Sequence, residues 1–343
     1  MAKVLVGMSG GVDSSAAALK LLEEGHEVVG CTLLLRPGDG CGSQNDIDDA
    51  RAVCAKLGIE HIAPDMTSQF KEKVIDKFCS DYMSGRTPNP CVECNRFVKF
   101  GAMLEFALSR GFDCIATGHY AKIKENNGVY TLHAVKYKDQ SYFLYRLTQH
   151  QLRHTLFPLA DCEKDEIREK AKDAGLPVHA KRDSQDVCFI PDGKVSGYLR
   201  SRGFVLRNGL IIDESGKKIG IHCGAQAFTI GQRKGLGGGF PQPMFVLKTD
   251  VVQNTVTIGP QERLFSSVVR CQDASFVSGT MPLEPFDALV KLRFASKAAE
   301  AVVTPFADGT LTITFKEAQR APTPGQSAVF YNGDMVLGGA IIM

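Results

Sequence analysis

An apolar stretch at residues 3–8 runs directly into Ser9-Gly10-Gly11-Val12-Asp13-Ser14-Ser15, and an amphipathic pattern follows without a gap. Few local structures accommodate that string. The two glycines let the backbone turn tightly and bring its N–H groups close to an anion. Ser14 and Ser15 open a helix whose N-terminus favours negative charge. Asp13 stands where a carboxylate can hold a Mg2+ against phosphates. The Gly-Lys-Ser/Thr ending of a Walker loop is missing, and a ligand-free turn capped by serine is the plain alternative. The rest of the first half keeps the alternation of strand and helix. Helical patterns cover residues 14–24, 46–57, 67–83, 101–110 and 163–174, with Gly25, Gly58 and Gly175 as stops, and strands cover 27–35, 60–63 and 114–117. This order predicts an α/β doubly wound parallel sheet, with ligands bound at the carboxyl ends of its strands.

From about Gly193 the texture changes to glycines, prolines and short β-rich segments at 204–212, 227–230, 245–248 and 255–258. Beyond about Leu264 the pattern is almost wholly strands and turns (289–294, 301–304, 311–315, 327–331, 336–342), which fits a small antiparallel β-barrel. Three domains are expected: 1–192, a small central domain at 193–263, and a barrel at 264–343. Charge is divided unevenly along the chain. Residues 1–192 carry 24 basic and 27 acidic side chains, while the remainder carries 16 and 11, so a net +2 hides a basic C-terminal part. Such a part suits a polyanionic partner. No apolar run approaches the ~18 residues of a membrane span, and the first residues show no basic-then-apolar leader. A cytoplasmic protein is expected, with its 11 cysteines mostly reduced.

Three of those cysteines stand out by their company. Cys91 and Cys94 form C-x-x-C in the proline-bounded stretch Pro88-Asn89-Pro90-Cys91-Val92-Glu93-Cys94, read as a loop. Cys188 follows Lys181-Arg182-Asp183-Ser184, where nearby cations favour a thiolate. Cys31, Cys54, Cys79 and Cys114 fall inside strand or helix patterns and read as core. Between Lys194 and Arg207, four basic residues alternate with Tyr198 and Phe204 and no acid intervenes; this suits phosphate contact and base stacking, or a solvated loop. Gln232-Arg233-Lys234 in a glycine-rich turn adds a second basic knuckle.

The string at 9–15 resembles the pyrophosphate loop of the ATP pyrophosphatases, in which ATP adenylates a substrate oxygen. Further motifs follow in order: Gly85-Arg86-Thr87-Pro88-Asn89-Pro90, Ala116-Thr117-Gly118-His119-Tyr120, Lys138-Asp139-Gln140-Ser141-Tyr142-Phe143-Leu144-Tyr145, Cys188-Phe189-Ile190, Gly231-Gln232-Arg233-Lys234-Gly235-Leu236 and Pro324-Gly325-Gln326-Ser327. Together they resemble the bacterial tRNA 2-thiouridylase family along nearly the whole chain. That family exchanges the 2-oxygen of the wobble uridine for sulfur in glutamate, glutamine and lysine tRNAs. The resemblance implies ATP contacts at Gly7, Met8, Ser9, Gly10, Gly11, Val12, Asp13, Ser14, Leu33 and Gly118. It implies RNA contacts at Asn89, Pro90, Cys91, His119, Lys138, Asp139, Gln140, Arg293, Phe294 and Gln326, with Phe294 where relatives often have tyrosine. It also implies that Cys188 carries a persulfide from a cysteine desulfurase or a sulfur relay protein. Cys94 then closes a Cys94–Cys188 disulfide as sulfur is released.

One departure is informative: many members have aspartate where Cys91 stands. Cys91, Cys94 and Cys188 make the count for a [4Fe–4S] cluster with three protein ligands and one open iron, which related thiolating enzymes use to hold a hydrosulfide. Zinc is disfavoured for want of a fourth ligand, and a spare thiol at Cys91 is the remaining alternative. The sequence favours the cluster. A non-catalytic tRNA-binding protein is the contrasting class, and it predicts decay of the phosphate loop, which is intact.

Overall fold

The computed structural model describes residues 1–36, 42–179, 181, 187–190 and 193–343; Cys41 and the Arg182-Asp183-Ser184 motif lie outside the described residues. Five parallel strands form the first sheet: β1 (Lys3–Gly7), β2 (Glu27–Cys31), β3 (His61–Ile62), β4 (Cys114–Thr117) and β7 (Thr155–Leu156), in the order β3-β2-β1-β4-β7. The helices that cross between them are α1 (Val12–Glu23), α2 (Gln44–Leu57), α3 (67–83) and α4 (90–109). β1 is central and apolar on both faces, as a strand covered by helices on either side must be. Its Val4, Leu5 and Val6 are completely buried. The register sets Gly7 beside Cys31 and beside Thr117. The carboxyl ends of β1, β2 and β4 therefore finish at one level, and the phosphate-type loop rises from the middle one.

The expected helix stops hold for a backbone reason. Gly25 and Gly58 take φ of 81° and 70°, a conformation that costs side-chain-bearing residues energy. Two elements differ from the sequence reading. Helix α4 begins at Pro90, not near 101, so the C-x-x-C lies on its first turn and not in a loop; proline at the first helical position lacks only an N–H that the helix does not use. Over Cys94–Ala102 this helix widens to i→i+5 hydrogen bonding, closed by the Met103 N–H on the Val98 carbonyl. The second difference is a β-hairpin, β5 (Lys122–Asn126) and β6 (Val129–His133), turned by Asn127 and Gly128, both at positive φ. An Asn-Gly pair at such a turn is the strongest short hairpin signal, and it was available in the sequence.

After α5 (Gln149–Arg153), α6 (Lys164–Asp173) and α7 (Val195–Ser201), the chain builds a central four-stranded sheet: β8 (Gly209–Ile212), β9 (Lys218–His222), β10 (Phe245–Asp250) and β11 (Thr255–Gly259), in the order β10-β11-β8-β9. The strand expected at 227–230 is instead a turn. The last part closes a six-stranded barrel from β12 (Phe265–Phe276), β13 (Phe286–Lys291), β14 (Ala299–Pro305), β15 (Leu311–Arg320), β16 (Ser327–Asn332) and β17 (Met335–Ile342), with β12 pairing both β15 and β17. Hairpin β5–β6 adds to β17 through Leu132 opposite Val336, tying the first domain to the barrel. Among the described residues no helix is long and apolar enough to cross a membrane.

Candidate active site

A cleft of about 800 Å³, open to solvent, lies at the carboxyl ends of β1, β2 and β4. Gly7, Met8, Ser9, Asp13 and Ser14 form its floor, Leu33 and Leu35 one wall, and Gly118, His119 and Gln140 another. The loop is held by its own serines. The Ser14 hydroxyl takes the Ser9 N–H at 3.2 Å and donates to the Gly11 carbonyl at 3.1 Å, while Ser15 donates to the same carbonyl at 2.9 Å. Gly118 passes so close that a Cβ there would stand 2.7 Å from the Asp13 carbonyl carbon and the Ser14 nitrogen. Gly10, at φ 66°, has the same constraint against the Asp46 carbonyl at 2.9 Å. Leu33 is 8 % exposed and is both core and cleft wall.

Asp13 corrects an expectation. Its Oδ1 accepts from the Tyr120 hydroxyl at 2.8 Å and pairs with Lys164 at 2.6 Å, and its Oδ2 pairs with Lys138 at 2.8 Å. Two ammonium groups against one carboxylate repel a dication, so this residue does not fit the part of a magnesium ligand. It fits the part of a holder that keeps two cations beside the phosphate loop. Lys164, Tyr120 and Lys99 were absent from the sequence reading of the site. Lys164 and Lys99 carried no local signal, since Lys164 sits in an ordinary helical pattern and Lys99 lies just ahead of the one read at 101–110, whereas Tyr120 stood in the recognised Gly118-His119-Tyr120 string.

His119 lines the cleft, accepts from or donates to the Thr117 hydroxyl through Nδ1 at 2.7 Å, and packs on Phe100. Desolvation, seconded by the charge of Lys99, pushes its imidazole well below the usual histidine range, so it is neutral near pH 7 and unsuited to act as an acid there.

Helix α4 carries the C-x-x-C at its start and reaches the same cleft further on. Its first turn carries Cys91, exposed, and Cys94, 8 % exposed. Further along, Lys99 and Met103 of this helix line the cleft. Cys188 is half-buried against the core that Cys94 also joins, beside Phe189, and its carbonyl accepts from Arg36 Nη2 at 3.3 Å. Among the described residues no group of three or more His, Cys, Asp or Glu is placed to hold a metal ion, so the three cysteines are not gathered into a ligand set in this arrangement. Burial pushes the Cys31 and Cys271 thiols up to about 12 and those of Cys54 and Cys114 up to about 11. Those four are buried packing residues, held as thiols.

Several residues implied as RNA contacts have partners within the chain. Arg293 Nη2 donates to the Ile230 carbonyl at 2.8 Å, to the Ala321 carbonyl and to the Thr323 hydroxyl. Gln326 Nε2 donates to the Thr87 carbonyl at 2.8 Å and the Pro88 carbonyl at 3.2 Å. Asp139 accepts from the Ser141 N–H and hydroxyl, both at 3.1 Å, and Gln140 Oε1 accepts from the Tyr120 N–H at 3.0 Å. Asn89, half-buried, stands at the position before α4, ahead of the buried Pro90, without a capping side-chain hydrogen bond. Phe294 differs: it is 44 % exposed and lies over Phe143 with ring centroids 4.5 Å apart. In the 194–207 stretch Tyr198 packs on Phe189 at 5.3 Å and looks inward, while Arg202 stays exposed, 3.7 Å from Asp76.

A parallel sheet with a glycine-serine loop at the carboxyl end of its central strand, followed by a small β domain and a closed barrel, defines a nucleotide-binding domain of the pyrophosphate-loop type with two β appendages. Sequence profiles agree by segment: tRNA methyl transferase HUP domain over residues 2–192, tRNA methyl transferase PRC-barrel domain over 198–260, and aminomethyltransferase beta-barrel domain over 266–342. The chain is 44% identical to the tRNA-specific 2-thiouridylase MnmA of Clostridium perfringens, covering 99% of this chain and 98% of that one. It is also 44% identical to the MnmA of Acetivibrio thermocellus, covering 99% of each. The chain belongs to the tRNA-specific 2-thiouridylase family. A solved structure, the U34-tRNA thiolase NcsA from Methanococcus maripaludis with its [4Fe-4S] cluster, shares 18% identity at a TM-score of 0.36 over 59% of this chain and 66% of that one.

Proposed function

We propose that the protein is an ATP-dependent tRNA sulfurtransferase that adenylates the 2-oxygen of the wobble uridine and exchanges it for sulfur in glutamate, glutamine and lysine tRNAs. One observation carries this reading: helix α4 presents Cys94 at its start and lines the nucleotide cleft with Lys99 and Met103 further on, so the sulfur-handling helix and the ATP cleft are one body. The phosphate loop cradles the triphosphate with its N–H groups, and Lys138 and Lys164 offset the charge of the departing pyrophosphate. A carbonyl oxygen is a poor leaving group, and adenylation converts it to one that departs with AMP. Sulfur then bonds to C2 of the base as the C–O bond to AMP breaks.

The cysteine pair supplies the sulfur most simply. A cysteine desulfurase or a relay protein in the cytoplasm loads Cys188 as a persulfide, whose outer sulfur attacks C2. Attack by the Cys94 thiolate frees that sulfur and leaves a Cys94–Cys188 disulfide, which an external thiol reduces. The placing of Cys91 and Cys94 three residues apart on one helical turn favours a second reading, in which they join Cys188 as ligands of a [4Fe–4S] cluster. RNA contact falls to Phe294 over Phe143 and to Asn89 and Pro90 at the start of α4. Lys138, Asp139, Gln140, Arg293 and Gln326 reach RNA only by exchanging the partners described above.

The test is anaerobic thiolation of unmodified tRNA with ATP and a persulfide donor, beside iron and sulfide assays. Cys94→Ala and Cys188→Ala are each expected to lose at least about a thousandfold in rate, the scale of removing a covalent group. Cys91→Ala decides the carrier. Retained activity in an iron-free protein establishes the pair. About four irons per chain, lost together with activity on that substitution, establish the cluster. Tight tRNA binding with no ATP turnover overturns the enzyme.

A further inference from the structure

The start of α4 and the segment before it are tied to the barrel at two places. Ahead of the helix, Gln326 donates to the Thr87 and Pro88 carbonyls, and the Thr87 N–H donates to the Pro324 carbonyl at 2.7 Å. Gly325 crosses so close that a Cβ would meet Thr87 N and O at 2.9 Å. The second tie is a buried charge relay. Glu93, the residue before Cys94, is 6 % exposed and lies 3.8 Å from Nη1 of Arg146, itself 3 % exposed. Arg146 Nη2 donates to the Asp273 carbonyl at 2.7 Å and pairs with its carboxylate at 2.5 Å. Asp273 sits at φ 52° where the register of β12 shifts against β17. The Tyr145 hydroxyl accepts from Arg146 Nε at 3.1 Å and bonds the Ser327 hydroxyl at 3.2 Å, and the buried Asn95 donates to the Phe143 carbonyl at 3.1 Å. Beside these ties a cavity of about 530 Å³ opens along the domain seam, lined by Glu93, Asp273 and Ser327 among others.

We propose that Arg146 is a positioning residue through which docking of the barrel on Asp273 sets the place of Cys94. A buried carboxylate is poorly tolerated unless paired. Glu93 therefore follows the guanidinium, and the guanidinium follows the β12 bulge, so a shift of the barrel is transmitted to the thiol on the adjacent residue. The phosphate loop at Gly7–Ser14 makes none of these contacts, and α4 reaches the cleft only through Lys99 and Met103, beyond the turn that carries Cys94. The inference depends on the proposed sulfur chemistry only for the consequence in turnover; the placement of the thiol can be read without it.

The experiment measures the alkylation rate of Cys94 by peptide mass spectrometry in the whole protein, with nucleotide affinity by calorimetry alongside. Arg146→Met is expected to raise the Cys94 rate by about tenfold, and Asp273→Asn, which removes only the exposed charge, by about threefold, since each leaves a buried charge less well compensated. ATP affinity stays within about twofold in both, and thiolation loses kcat more than it gains KM for tRNA. Glu93→Gln in the Arg146→Met background is expected to return the Cys94 rate toward that of the parent. An unchanged Cys94 rate in Asp273→Asn, or a nucleotide affinity that falls in step with it, overturns the proposal. Should Arg146→Met not fold, Asp273→Asn decides alone. Absence of thiolation by the parent protein refutes the proposed function while the alkylation result still stands.

Discussion

Gly118 shows how much can rest on a missing side chain. A Cβ there would meet the Asp13 carbonyl carbon and the Ser14 amide at 2.7 Å, and both are backbone atoms that cannot swing aside. Gly118→Ala is expected to push the loop off its position. At about 1–3 kcal/mol for overpacking, nucleotide affinity falls by about 5- to 150-fold while the fold persists; titration calorimetry with ATP reads this, and an unchanged affinity contradicts the role of that contact. Motifs of this kind are legible from sequence because a tight backbone approach demands one residue type. The partners of Asp13 were less legible: Lys138 and Lys164 are 26 residues apart in sequence, and nothing local says that both reach the same carboxylate. The carboxylate read from sequence as a magnesium ligand holds two lysines instead.

At the scale of elements, local chemistry decided starts and stops better than it decided kinds. Helix α2 begins at Ser43, whose side chain accepts from the Asp46 N–H at 3.3 Å, and ends at Gly58 in the left-handed region. Ser43→Ala removes that cap, at about 1 kcal/mol, and is expected to lower the melting temperature by about 2–4 °C in a domain of this size, as scanning calorimetry records. The start of α4 was missed because Pro88 and Pro90 read as loop, although proline at the first helical position is compatible with a helix. Long strand β12 was missed for another reason: its exposed residues Phe265 and Val268 break the simple alternation of a half-buried strand.

At the scale of the molecule, the first domain and the barrel share a sheet. Met335 and Val336 of β17 pair with His133 and Leu132 of β6, and the Ala134 N–H donates to the Asp334 carbonyl. Domains joined by a linker alone commonly unfold apart. Here shared strands and the Arg146 ties bind the two, so a single calorimetric transition is expected for both; two separated transitions, with the barrel melting first, contradict that coupling. Sequence alone determined the parallel α/β domain, the phosphate loop, the helix stops and the barrel, because each follows from periodicity or from a residue type that one backbone conformation requires. It also singled out Cys91, Cys94 and Cys188. Only the tertiary structure decided that Gln326, Arg293 and Arg146 brace the domain seam, that Asp13 is paired with two lysines, and that Cys91 and Cys94 ride the start of a helix whose later turns line the cleft. Those outcomes depend on contacts between residues up to 239 positions apart, and no local pattern encodes which distant partner a buried polar group will find.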